Sequence, residues 1–129
     1  MNTSYFGLNG HHPQGISVAR WAPKTFKGQG FSQLAPSKGL FDDKGISHKG
    51  YEARYRDETL SVLDARETYD RLGDAAVLLC WETPYQFCHR QIIAAWFLEE
   101  LNIPVKELII AYNQATLAPK KALTLEDFL

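Results

Sequence analysis

Residues 75–102 read AAVLLCWETPYQFCHRQIIAAWFLEELN, and the reading of this stretch decides the fold. AAVLLC at 75–80 is a continuous apolar run bounded by Asp74 and by Trp81-Glu82-Thr83-Pro84. That is the pattern of a strand covered on both faces. From Gln86 to Asn102 the residues Ile92, Ile93, Trp96, Phe97 and Leu101 fall on one broad helical stripe, which Asn102 and then Pro104 end. A buried strand, a short connection and a long helix make up half of a parallel crossover unit.

Working outward, VKELIIAY at 105–112 is expected to be the last strand, and LTLEDFL at 123–129 a short helix docked by Leu123, Leu125 and Phe128. Upstream, Asp64 is a good N-cap, Glu67 completes the capping-box spacing and Gly73 closes the helix between them. YEARYRDETLSVLD at 51–64 reads as another helix, with Tyr51, Tyr55, Val62 and Leu63 among charges. ISVARW at 16–21 and SYFGL at 4–8 read as strands, separated by the breakers of NGHHPQG. The order predicts an α/β protein, a small Rossmann-like sandwich with a largely parallel sheet and a long basic loop. Strands near 16–20, 75–80 and 106–111 are expected to be sheet neighbours. A chain of 129 residues is expected to form a single domain, with the basic loop at 22–50 and a C-terminal tail at 113–129.

Charge is divided unevenly. The net charge is −1, which favours neither nucleic acid nor membrane as a partner. Residues 1–56 nevertheless hold eight Lys/Arg against three Asp/Glu, and residues 57–129 hold six against twelve. The basic half is where an anion would dock, unless the two halves simply pair with each other. Within it, residues 22–50 carry five glycines and five lysines without clear periodicity. A stretch of that kind is usually functional, here an Ω-like loop pinned by Phe26, Phe31, Leu34, Leu40 and Phe41. The start MNTSYFGLNG has neither a basic region nor an apolar run, so a cytoplasmic location with both cysteines reduced is expected. No stretch approaches the apolar length of a membrane span, and no membrane partner is expected.

Chemistry is concentrated where the long helix begins. Its first turn is Cys88-His89-Arg90. Free N–H groups and the helix dipole favour an anion there, whether a thiolate or an oxyanion. Cys88, His89 and Glu82 are therefore the candidate catalytic residues, as nucleophile, proton relay and proton acceptor. Arg20, Lys24, Arg54 and Arg90 are the candidate substrate-binding cations, Arg90 being suited to bidentate contact with phosphate. Tyr51 and Tyr55 join them as candidate binding residues. Cys80, inside the apolar run, reads as core. C-x7-C is not a usual zinc spacing and His11-His12 beside Pro13 reads as an exposed turn, so neither metal nor cofactor is expected. No dinucleotide fingerprint, Walker loop, HExxH or C-x5-R loop is present.

VLLCWE followed by CHRQIIAAWF resembles the closing motif of the domain of unknown function 488 family, in which a strand ending in Cys and Glu precedes a Cys-His-Arg helix start. ISVARWAPKTFKG resembles that family's earlier strand-and-Arg motif, and YEARYRDETLSVLD its central helix. The resemblance runs from about Tyr5 to Leu108. It implies a small Rossmann-like fold and a shared polar pocket at Arg20, Tyr51, Arg54, Tyr55, Cys80, Glu82, Cys88, His89 and Arg90. It supplies no established reaction.

Two functions are compatible with these residues. One is an enzyme, a transferase or hydrolase, that binds a small phosphorylated or nucleoside-like anion at the Cys88-His89-Arg90 helix start. The other is a non-catalytic module whose basic segment 20–56, with Trp21, Phe26 and Phe31 among lysines, grips a nucleic acid or an acidic protein. The sequence leaves the oligomeric state open.

Overall fold

The computed structural model describes residues 1–113. Five strands form one sheet: β1 (Asn2–Tyr5), β2 (Gly15–Ser17), β3 (Gln29–Gly30), β4 (Val77–Cys80) and β5 (Lys106–Glu107). Their order is β3-β2-β4-β1-β5, and every pairing is parallel. The helices are α1 (Phe6–Asn9), α2 (Lys38–Asp42), α3 (His48–Glu58), α4 (Ala65–Leu72) and α5 (His89–Leu101), with 3-10 turns at Ser32–Leu34 and Leu60–Val62. This is a Rossmann-like α/β fold. The short helix expected at 123–129 falls outside the described residues.

The apolar run that decided the fold is the middle strand, and all four residues of β4 are buried. Alternation along it separates the two faces of the sheet. Leu78 and Cys80 join the core cluster beneath the helices. Leu79, in the opposite phase, packs so tightly over Gly15 that a Cβ there would come within 2.7 Å of its Cδ1. The phase of Cys80 therefore aims its thiol toward the helical layer. On that layer α5 buries Ile92, Ile93, Trp96 and Phe97, each worth roughly 1.5–3 kcal/mol of transfer free energy if fully buried. Phe97 meets Tyr69 of α4 edge to face at 5.3 Å.

The helix ends follow their capping residues. Asp64 accepts from the Glu67 amide at 2.9 Å, and Gly73 turns out of α4 at φ +92. Asn102 takes the left-handed conformation that ends α5. α3 starts earlier than its apolar pattern predicts, because Ser47 caps it by accepting from Gly50 N at 3.0 Å, and it ends at Glu58.

The strands are shorter than expected. β1 spans 2–5, not 4–8, since Phe6–Asn9 coils into one helical turn. β5 is limited to 106–107, although β1 continues to Tyr5 and Leu108 N still donates to Thr3 O at 2.7 Å. The following segment is held instead by the buried Asn9, which donates to Ile110 O and accepts from Tyr112 N. β1 also lies between β4 and β5, so 106–107 is in the same sheet as 77–80 but not its neighbour. The basic stretch 22–50 contains β3, a 3-10 turn, α2 and the start of α3. It is pinned by Leu34 and Leu40, which are buried, whereas Phe41 stays exposed.

Candidate functional site

β2 and β4 run side by side, and their pairing continues through Val18 N to Leu79 O at 3.0 Å. Val18 and Cys80 thus leave the sheet together at its carboxyl edge, where ligands of such sheets bind. Cys88, the N-cap of α5, returns to the same place. The return is held by Gln86, whose Oε1 accepts from Thr83 N at 3.0 Å. Gln91 completes it, donating to Gln86 O at 3.2 Å and accepting from Cys88 N at 3.4 Å.

The result is a buried cluster of Cys80, Cys88 and His89, with Glu82 half-buried at its edge. His89 Nε2 lies 2.6 Å from the Val18 carbonyl oxygen. A carbonyl only accepts, so Nε2 carries the proton and Nδ1 presents its lone pair to the thiols. Nδ1 is 3.7 Å from Cys80 Sγ and 3.8 Å from Cys88 Sγ. Cys80 in turn donates to Glu82 Oε2 at 3.2 Å.

These contacts set the protonation states. Burial pushes the Cys88 thiol up, but hydrogen bonding with Cys80 and His89, the imidazole's charge and the Arg90 backbone amide together hold it well below its ordinary value. Burial pushes His89 down, and the contact with Cys88 reverses this to a net rise. Cys80, hydrogen-bonded to Cys88 and buried, is driven far up and stays a thiol. Burial and the nearby Cys88 charge also raise Glu82. Both shifts favour passing the Cys88 proton to the His89 Nδ1 lone pair.

Tyr55 and Tyr51 wall this cluster. The Tyr55 ring lies 5.4 Å from the His89 ring and its hydroxyl donates to Leu34 O at 2.6 Å. Tyr51 stacks on Tyr55 at 6.3 Å and meets Phe87 edge to face. Burial raises both phenols, so neither ionises near neutrality.

The candidate cations disperse. Arg90 is fully buried, and its bidentate face is taken by Glu107, with Nε and Nη2 each 3.0 Å from a carboxylate oxygen. The phosphate contact expected of that face is thus pre-empted by a carboxylate. Arg54 sits on the outer side of α3, paired with Glu58 and Asp43. Lys24 is exposed and lines neither cavity described below. Arg20 alone stays near the carboxyl edge, over Trp21 at 5.1 Å, with Nε buried and without a partner among the described residues. It lines a cavity of about 340 Å³ with Ser17 and Phe31.

Sequence reasoning missed the larger cavity, about 990 Å³, at the end of β1. Tyr5, Phe6, Phe26, Trp81, His12 and Lys27 line it. Phe6 packs edge to face with Phe26 at 5.2 Å and with Trp81 at 5.4 Å. Phe26 and Gly28 line both cavities, and Trp81 and Thr83 flank Glu82 in the chain. The available signal was a glycine-rich segment carrying His11-His12 directly after the first strand, which reads equally well as an exposed turn.

Fold and site together define a Rossmann-like α/β protein with a thiol–imidazole–carboxylate cluster at the carboxyl edge of its sheet. Residues 6–101 match the family described as the active DUF488-N3 subclade, and the chain belongs to that family, a domain family of unknown function. No curated protein and no solved structure matches the chain. Among the described residues no helix is long and apolar enough to cross a membrane.

Proposed function

We propose that the chain is a cytoplasmic enzyme of the hydrolase or transferase type, acting on a small nucleotide-like anion. One observation carries this reading: His89 is tied through Nε2 to a backbone carbonyl, so its basic Nδ1 faces Cys88. A thiol held beside a fixed base is the arrangement of an activated nucleophile. Cys88 is the attacking group, His89 holds and returns the proton, and Glu82 is the further proton acceptor. The aromatic cavity supplies a stacking surface for a planar ring, and its volume suits a nucleotide. The unpartnered Arg20 Nε beside the adjoining cavity, rather than Arg90, is the phosphate contact.

Binding of the four nucleoside monophosphates to the full chain, followed by calorimetry and by Trp81 fluorescence, tests this. At least one should bind and slow alkylation of Cys88, and Trp81→Ala should weaken it by about tenfold, the lower range for one aromatic–base stack. Equal binding of inorganic phosphate, or an unchanged affinity in Trp81→Ala, overturns the reading. A second reading, the nucleic-acid module, draws on the exposed pair Trp21 and Trp81, joined through Trp81 Nε1 and Trp21 O at 2.6 Å beside the basic segment. Steeply salt-dependent binding of oligonucleotides with none of mononucleotides would favour it.

A further inference from the structure

We propose that Cys80, Cys88 and His89 form a binding site for one zinc-type divalent ion, with Glu82 bordering the fourth ligand position. This goes beyond the functional reading, because a metal-bound Cys88 is withheld from any substrate.

The geometry is the first support. The three ligand atoms, two Sγ and one Nδ1, lie within 4.8 Å of one another, and all three residues are buried. Metal–sulfur bonds of about 2.3 Å and metal–nitrogen bonds of about 2.0 Å give a tetrahedron with ligand–ligand edges of roughly 3.6–3.8 Å. The two Sγ–Nδ1 separations are 3.7 and 3.8 Å. Glu82 Oε2, 3.2 Å from Cys80 Sγ, stands about one such edge away. Both sulfur–nitrogen edges therefore already have the length that a bound ion needs, and Glu82 is the group that has to move in.

The second support is the hydrogen bond behind the imidazole. A ligating histidine is usually oriented by donating its other ring N–H to a carbonyl or carboxylate. His89 does this to Val18 O, leaving Nδ1 unprotonated toward the sulfurs. Charge is the third. Two thiolates in a dry site are costly together, whereas two thiolates, a neutral imidazole and a divalent ion form a neutral centre. Two sulfurs and an imidazole select zinc over magnesium or calcium. The C-x7-C spacing is unusual for zinc because the ligands come from a strand end and a helix cap, which only the fold brings together.

Cobalt(II) added to the chelator-treated full chain provides the test. One equivalent should give the sulfur-to-cobalt charge-transfer band and the intense visible bands of a four-coordinate site, and zinc should bleach them. Zinc should also slow alkylation of Cys88 by at least about tenfold, since the metal holds the thiolate. A spectrum without the charge-transfer band overturns the proposal. So does retention of that band in a Cys80→Ser, Cys88→Ser double variant, while the wild-type spectrum decides even if that variant does not fold. The two readings fail separately. Slow alkylation of the metal-free chain with a normal cobalt band removes the nucleophile and keeps the metal. Fast alkylation with no band does the reverse.

Discussion

His89 and Arg90 are consecutive, both buried, and start the same helix, yet they end in opposite situations. Arg90 turns toward β1 and β5, where Glu107 grips it with two 3.0 Å contacts and Thr3 donates to the same carboxylate at 2.7 Å. Its charge is paired within the protein, with Nη1 left buried and without a hydrogen-bond partner among the described residues. His89 turns toward β2 and β4, where it meets two thiols and a backbone carbonyl. No carboxylate grips it as Glu107 grips Arg90, and its protonation depends on Cys88, with smaller contributions from Val18 O and Glu82. A buried charge with a dedicated partner belongs to the framework, and a buried charge shared among titratable groups is where chemistry is stored.

The largest effect should come from breaking the Arg90–Glu107 pair. Glu107→Ala leaves the buried Arg90 guanidinium uncompensated and should cost about 3–5 kcal/mol of stability, read by urea unfolding. Arg90→Met combined with Glu107→Leu should recover most of that loss, since replacing both partners with apolar groups of similar volume is often near neutral. A cost below about 1 kcal/mol for Glu107→Ala, as for an exposed pair, would mean that the guanidinium finds another partner. Arg90 would then be open to an oxyanion after all.

Next in size is the pH dependence of Cys88 alkylation. The Cys88 thiol is held well below its ordinary value, while His89 is raised. A lowered thiol pKa keeps the thiolate as pH falls toward neutrality. The native rate should therefore fall less steeply than the unfolded one as the pH drops below the free thiol value, and take the full slope only below the lowered value. In the unfolded chain the rate should fall about tenfold per pH unit below the free thiol pKa of about 8.5. The slope is diagnostic even though burial slows every native rate. A native slope equal to the unfolded one would mean that His89 does not activate Cys88, and the contrast with Arg90 would vanish.

The fold was legible because the apolar run at 77–80 and the stripe on α5 are patterns that burial itself imposes. Gly73 and Asn102 were legible as stop signals because left-handed backbone selects their residue types. β5 is shorter than VKELIIAY suggests, because that segment has the composition of a strand and composition cannot reveal that the buried Asn9 side chain takes the backbone of Ile110 and Tyr112. The grouping of Cys88, His89 and Glu82 was legible from their position at a strand end and a helix start. Cys80 was set aside as core, although its phase in β4 aims it at the same point. The pairing of Arg90 was not legible, because a helix start attracts anions of either origin and the long-range partner Glu107 leaves no trace near residue 90.

The smallest effect should come from Arg54, the other arginine that sequence reasoning placed at the site. Its side chain is 42% exposed, 3.1 Å from Glu58 and 3.6 Å from Asp43. Exposed pairs of this kind contribute about 0–1 kcal/mol, because solvent screens them and ordering two long side chains offsets the gain. Arg54→Ala should therefore shift the urea midpoint slightly and leave both Cys88 alkylation and nucleotide binding unchanged. The variant sharpens the comparison because it removes a positive charge from the basic half without touching the cluster. If ligand affinity fell by more than the roughly fivefold that one exposed ion pair can account for, Arg54 would have to reach the ligand directly. The anion site would then extend over the outer side of α3 and would not be confined to the carboxyl edge of the sheet. An unchanged affinity would leave Arg20 as the cation to test next.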